Sequence, residues 1–437
     1  MNTLIKKDST NCTFEISDFE NTKEKVLNWV QQFNTFCFLD NHQYEVEPHS
    51  LECLLAAGVK RQLKIDSGLA LKELQQFISE KSSWLFGHLG YDLKNEIEKL
   101  SSVNTGNTGF SDLFFFEPEI LIRLTATSIN IEATNPEKIF SEIETYADSS
   151  LHSVSKSKIS IRNKISRNDY IRIINRLKAH ILRGDCYEIN FCQEFFAENA
   201  SIDPVEVYKK LSHLSPNPFS ALYRVDNSWL LCASPERYLK KSGNQILSQP
   251  IKGTSKRILN DKVTDDKVKK ELKNSAKDRA ENVMVVDLVR NDLARVCEQG
   301  TVKVDELFGI YSFPQVHQMI STISGELMTG ISFTDIIRAT FPMGSMTGAP
   351  KIKVMELIEE YEQTKRGIFS GAVGYVSPDG DFDFNVVIRS ILYNAESNYL
   401  SFPAGSGITF KSEPEKEWEE CLIKVEAMKK ILEDYWL

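Results

Sequence analysis

An α+β fold with much antiparallel strand is predicted by three features of the sequence. Short runs alternating apolar and polar residues recur through 35–132 and again from Tyr187 onward. Apolar residues at helical spacing mark segments opening near Ser166, Ala276 and Pro414. Residues 369–376 and 382–393 face each other across Pro378-Asp-Gly-Asp381 and read as a hairpin.

Taken in order, 35–39 and 83–87 read as strands, the second leading into Gly90-Tyr91-Asp92. Residues 112–124 give two more, broken at Pro118, because proline cannot donate to a ladder; 127–132 gives another. The stretch 148–162 is rich in Ser and Lys and poor in apolar residues, so it reads as a linker. It divides a strand-rich N-terminal region, 1–150, expected to pack on the core, from a catalytic region, 163–437. Ser166 is placed to cap a helix carrying Tyr170, Ile173, Ile174, Leu177 and Ile181, and Gly184 to end it. In 187–195 the alternation puts Glu188, Asn190 and Cys192 on the face opposite Tyr187, Ile189 and Phe191. A strand at 229–233 leads into Ser234-Pro235-Glu236-Arg237.

The charged stretch 260–274 is expected to be a mobile connection before a helix over 276–296. In that helix Asp278 and Glu281 lie one turn apart on the same face. Pro414 suits a helical first turn, Trp418, Leu422, Val425 and Leu432 form an apolar stripe, and Glu417, Glu420 and Lys424 share a neighbouring face. The hairpin reading puts Arg389 on the face of Asn385 and Val387.

Composition narrows the function classes. With 437 residues, 41% hydrophobic and 26% charged, the chain can bury a substantial core, as one large body or two to three domains. A net charge of -9, with no dense Lys/Arg block, argues against a general nucleic-acid binder. An anionic ligand would need a few placed cations or a metal. The eight cysteines show no C-x-x-C and no zinc spacing with histidine, so free thiols in a reducing compartment are expected. No signal-peptide core opens the sequence and no apolar run of about 18 residues occurs, so a cytoplasmic protein without membrane attachment is expected.

Several stretches can carry chemistry. In Pro250-Ile251-Lys252-Gly253-Thr254 a lysine stands where a strand turns into a loop; desolvated there, its amine would have a lowered pKa and act as a nucleophile. A surface lysine beside Lys256 and Arg257 is the plainer alternative. The pairs Asp278/Glu281 and Glu417/Glu420 suit a hard cation such as magnesium, or are solvated acidic faces. Residues 341–351 pack Gly, Ser and Thr ahead of a helix start at Pro350, a turn that offers N–H groups and hydroxyls to an anion without the Walker A order. Pro403-Ala404-Gly405-Ser406-Gly407 is a second glycine turn. His317, among apolar neighbours, is either a satisfied core residue or functional. No G-x-S-x-G elbow and no glycine-flanked catalytic cysteine occur, so nitrogen from glutamine would have to come from another chain.

In their order these stretches resemble the chorismate-utilising enzymes, and within them the aminodeoxychorismate synthase branch. The likeness runs from about Ser166 to the C-terminus through SPER (234–237), PIKGT (250–254), KDRAEN with VDLVRNDLAR (277–295), FPMGSMTGAPK, SGAVGY (370–375), Ile388-Arg389, the GSG turn and EPEKEWEE. WLFGHLGYDL and FFFEPEIL extend it loosely into the first 150 residues. The resemblance implies a large, mostly antiparallel two-sheet core wrapped by helices. It also implies amination of chorismate at C4 with Mg2+, giving 4-amino-4-deoxychorismate on the route to 4-aminobenzoate and folate. Ammonia would come from a separate glutamine amidotransferase subunit.

The branch rests on Lys252, because anthranilate synthases have alanine there. By the resemblance Lys252 attacks C2 of chorismate, Glu236 is the general acid for the departing hydroxyl and His317 lies beside the ring. Asp278, Glu281, Glu417 and Glu420 match the magnesium cluster, with Asp278 an aspartate where many relatives have glutamate. Thr254, Ser345, Arg389, Gly405, Gly407 and Lys424 match the substrate-binding positions. Two positions depart from relatives. Phe369 replaces a substrate-contacting tyrosine of anthranilate synthases, and Glu188 stands where isochorismate and salicylate synthases have a water-activating lysine.

Overall fold

The computed structural model describes residues 4–7, 10–44, 53–146, 159–313 and 316–433. Most of the expected linker, through residue 158, lies outside the described residues. Two large antiparallel sheets, of twelve and ten strands, dominate, and a three-stranded sheet joins them. This matches the α+β, two-sheet expectation. Both large sheets draw strands from both ends of the chain. Thr35–Asp40 pairs with Phe219–Val225 in the twelve-stranded sheet, and Leu85–Leu89 pairs with Ala372–Val376 in the ten-stranded one.

The alternation of the central strands shows why the sheets stack. Phe36 and Phe38 point to one apolar cluster and Cys37 to another, and all three are buried. Between the sheets lie Phe86, His88, Phe114, Tyr223 and Leu230, while Phe115 and Phe384 lie on the other face of the ten-stranded sheet, against Phe333. The outer face of the twelve-stranded sheet is covered by Phe19–Val30, Pro136–Thr145, Pro204–Leu214 and Pro414–Glu433, around Trp29, Leu222 and Leu231. A third cluster, with Tyr170, Phe191, Ile408 and Trp418, lies where Arg167–Arg183 and Pro414–Glu433 meet the small sheet. Ser166 caps Arg167–Arg183 by accepting from the Asp169 N–H, and Gly184, at φ 85°, ends it as expected.

Two expectations are corrected. Residues 260–274 are not a mobile connection but contain the helix Lys262–Asn274, capped by Asp261 through the Val263 and Thr264 N–H groups. It has almost no apolar face, and of its side chains only Asp265 and Leu272 are buried. Asp265 anchors it through Arg257 at 3.0 Å and His317 at 3.1 Å, so its docking is ionic and leaves no hydrophobic period to read. The second arm of the hairpin is also not one strand. Phe382–Asn385 belongs to the ten-stranded sheet and Ser390–Asn394 to the twelve-stranded one. The chain crosses between sheets over 386–389, with Arg389 at φ 53°, so the two-residue period linking Arg389 to Asn385 does not hold.

That crossing fixes the SPER turn. The Val386 N–H donates to the Glu236 carbonyl at 3.0 Å, and Ser234 Oγ donates to the Val386 carbonyl at 2.6 Å. Arg237, 1% exposed, donates to both oxygens of Asp383 at 2.9 and 3.0 Å and to Gln249 Oε1 at 2.7 Å. Removing one member of such a buried pair strands the other charge. Arg237→Met should cost about 3–5 kcal/mol in urea unfolding. The double variant Arg237→Met/Asp383→Asn should cost less than the sum of the two single changes.

Candidate active site

Lys252 lies on the strand Ile251–Lys256, which pairs with Val316–Glu326 and carries a bulge between Ile251 and Thr254. Gly253 supplies the bulge with φ 93°, and a Cβ there would meet the Asp278 side chain at 3.0 Å. The bulge re-aims Lys252 into the protein, where it is 9% exposed, so the surface-lysine alternative is excluded. Its Nζ lies 2.5 Å from Glu188 Oε1. Glu188 comes from the small sheet, on the strand Glu188–Gln193 that pairs with Ala404–Ile408. Gly407 closes the space, since a Cβ there would stand 2.7 Å from Glu188 Oε1 and 2.8 Å from Lys252 Nζ. Only glycine leaves this ion pair intact.

The ion pair decides the resting state of the amine, which the sequence leaves open. Burial alone would lower the Lys252 pKa, but Glu188 and Glu281, with Glu236 behind them, outweigh it and raise the pKa. Lys252 therefore rests as an ammonium. The nearest proton acceptor is Glu188, whose other oxygen, Oε2, is buried without a hydrogen-bond partner.

Glu236, 4% exposed, has the complementary property. Burial raises its pKa to about 7, against the opposing pull of Ser345 and Lys252. Near neutral pH it can therefore give or take a proton.

The four predicted metal-binding carboxylates sit at the ends of two helices, Ala276–Leu293 and Pro414–Glu433. They converge on Lys277, whose Nζ lies 3.6 Å from Glu417 Oε1 and 3.8 Å from Glu281 Oε1. Burial would lower the Lys277 pKa, but Glu417, Glu281, Glu420 and Asp278 together raise it. Glu281 Oε1 and Glu417 Oε2 are buried without hydrogen-bond partners. Burial pushes the Glu281 pKa up to about 7, opposed by Lys252 and Lys277. Among the described residues no three carboxylates, histidines or cysteines yet stand as a closed metal centre. The hard oxygens and the two orphaned atoms nonetheless fit a hard cation that keeps other oxygens in its shell.

Cations ring the rest of the cleft. Lys424 Nζ donates to Glu420 Oε1 at 2.5 Å and to the Gly405 carbonyl at 2.8 Å. The Arg389 guanidinium donates to the Lys424 carbonyl at 3.3 Å, and burial lowers its pKa against the pull of Glu420. Thr254 is exposed and pairs with Gln318. His317, 2% exposed, is opposite Ser255, and its ring nitrogens meet Ser312 Oγ at 2.8 Å and Asp265 at 3.1 Å. These contacts tie it to the Lys262–Asn274 helix and not to the Lys252–Glu188 pair.

The sequence marks Glu188 as a strand position and a departure from relatives, but not as the partner of Lys252, and it shows Lys277 only as a neighbour of Asp278.

A lysine–carboxylate pair buried beside a neutral-range carboxyl and a cation-seeking acid cluster defines an enzyme cleft for a small anion. Residues 34–430 match the family model described as chorismate binding enzyme, and the chain belongs to that family. Over 352 residues it is 34% identical to aminodeoxychorismate synthase component 1 of Escherichia coli strain K12, covering 79% of this chain and 76% of that one. It is equally 34% identical, over 368 residues, to an anthranilate synthase component I-like protein of Synechocystis, covering 83% of this chain and 75% of that one. Two solved structures share the fold. Anthranilate synthase component I of Streptococcus pneumoniae superposes with TM-score 0.75 at 24% identity, covering 88% of this chain and 94% of that one. The menaquinone-specific isochorismate synthase of Escherichia coli gives TM-score 0.75 at 16% identity, covering 99% and 95%.

The raised carboxyls have a consequence for stability. Glu236 and Glu281 hold protons up to about pH 7 in the folded chain but only to the ordinary carboxyl range when unfolded. Between those values the folded state binds more protons, so this contribution is complete below about pH 4 and is lost as pH rises through about 7. Glu236→Gln should flatten the fall in urea midpoint with rising pH, relative to the unmodified protein, over about pH 5 to 8. An unchanged slope would mean that Glu236 does not titrate there.

Proposed function

We propose that the protein aminates chorismate at C4 to give 4-amino-4-deoxychorismate, a precursor of 4-aminobenzoate and folate. The observation that carries this reading is the buried Lys252–Glu188 pair closed by Gly407, which puts an amine and its proton acceptor in one cleft. The relatives named aminodeoxychorismate synthase component 1 support it, and their component naming supports a partner subunit. We take that partner to be a glutamine amidotransferase that delivers ammonia. No helix among the described residues is long and apolar enough to cross a membrane.

In this reading Glu188 accepts the proton of Lys252, and the freed Nζ attacks C2 of chorismate. Both double bonds of the ring diene shift away from C2 towards C4, and the C4–O bond breaks. Glu236 gives its proton to the departing oxygen, which leaves as water. Ammonia then attacks C4, both double bonds shift back and the C2–N bond to Lys252 breaks. The new ammonium gives up a proton, for which the Glu236 carboxylate is available. The enolpyruvyl group stays on the ring throughout. Arg389, Lys424, Ser345 and Thr254 with the N–H groups near Gly405 and Gly407 are the proposed anchors for substrate carboxylates. His317 is proposed to lie beside the ring. Glu281, Glu417 and Glu420, with Asp278 through water, would hold Mg2+. When bound, that ion supplies the positive charge that fixes a ring carboxylate. A glutamate at position 188 disfavours a water-adding reaction of the isochorismate type.

Mass spectrometry of the product from chorismate, magnesium and ammonium tests the reading. The expected product is aminated and retains the enolpyruvyl group. Lys252→Ala should lose amination at C4 and open C2 to ammonia, and Glu236→Gln should lower turnover by about 10²–10⁴-fold. Anthranilate and pyruvate from the unmodified protein would replace this reading with anthranilate synthesis. An absence of turnover would point to a binding protein.

A further inference from the structure

The acid cluster already contains a cation of the chain's own. Lys277 precedes Asp278 in the first turn of Ala276–Leu293 and reaches across to Glu417 on the other helix. Its contacts with Glu417 and Glu281, at 3.6 and 3.8 Å, are ion-pair distances without a hydrogen bond. The ammonium is therefore loosely held in the middle of the carboxylates and docked on none of them. Lys277 is also half exposed, 47% at its side chain, whereas Glu417 is 2% and Glu281 12% exposed at theirs. The acids are fixed by burial and the lysine has an open route to solvent. One buried oxygen on each of Glu281 and Glu417 is left without a hydrogen bond by this arrangement. A divalent ion would satisfy those oxygens in a way that a distant ammonium does not.

We propose that Lys277 is a resident counter-cation that occupies the metal locus in the metal-free enzyme and swings into solvent when Mg2+ binds. The inference rests on the magnesium site of the proposed function and adds a residue to it. Two effects follow. The metal-free cleft is spared the repulsion of carboxylates that burial would otherwise force together. Mg2+ binding becomes an exchange of one cation for another, so affinity for the substrate-free protein is weakened. Lys277 is a positioning residue and not a catalytic one, because it acts through the carboxylates.

The test reads Lys277 itself. The full chain, with and without Mg2+ and no substrate, is treated with an amine-acetylating reagent, and modification at Lys277 is followed by peptide mass spectrometry. Mg2+ binding is measured in parallel by calorimetry on the unmodified protein and on Lys277→Met. Labelling of Lys277 should rise several-fold with Mg2+, Lys277→Met should bind Mg2+ more tightly, and its metal-free Tm should fall while its Mg2+-bound Tm does not. Magnesium binding with unchanged labelling, or with no gain in affinity for Lys277→Met, overturns the exchange and leaves the metal site standing. Lys277→Arg, which keeps the charge, should stay close to the unmodified protein in metal-free Tm, and a fall equal to that of Lys277→Met would also overturn it. No binding of Mg2+ by the unmodified protein overturns the metal site and this inference together.

Discussion

The Lys252–Glu188 ion pair is the contact on which the cleft depends. It joins an edge of the ten-stranded sheet to the three-stranded sheet, and both partners are almost fully buried. Neither residue could be held charged there alone, since isolated buried ions cost several kcal/mol each. The pair demands a glycine at 407, a bulge at Gly253 and a carboxylate on the one face of the Glu188–Gln193 strand that reaches the cleft. Those backbone features look like separate loop details in the sequence. In the fold they are conditions for one contact.

Around that pair the charges are divided by depth. Buried carboxyls that cannot all ionise, Glu236 and Glu281, are held near neutrality, while Glu420 is kept charged below its ordinary range by Lys424 and then Lys277, against burial. Cations enter from the rims of the cleft, from Arg389, Lys424 and Lys277. An acidic chain can therefore receive an anionic substrate, because a small set of placed positive charges acts at short range.

Much of this was legible. Strands buried on alternate faces announced themselves by their two-residue period, and Ser166 and Gly184 marked both ends of a helix. Glu236, Lys252 and the two acidic pairs were found by motif, and the fold brings Glu281 and Glu417 to a common lysine and Glu236 into the electrostatic reach of Lys252. What escaped were features whose cause is tertiary. The Lys262–Asn274 helix docks by ions through Asp265, so it has no apolar stripe. The crossing at 386–389 keeps the alternation of a strand although it changes sheets, because both its ends are buried. The raised pKa of Lys252 depends on Glu188, a residue 64 positions away, and no local pattern contains it.

The stitching of both sheets from both ends of the chain also shapes how the protein is made. His88 lies opposite Val373, so the strand Leu85–Leu89 leaves the ribosome long before the partner it needs on one edge. At synthesis rates of about 5–20 residues/s that wait lasts roughly 15–60 s. For that time an apolar strand edge, with Phe86 and Leu89 beside it, has no partner on that side. The nascent chain is thus a natural client for a chaperone that shields strand edges, and its commitment to the native state falls late in synthesis, when residues 372–376 emerge.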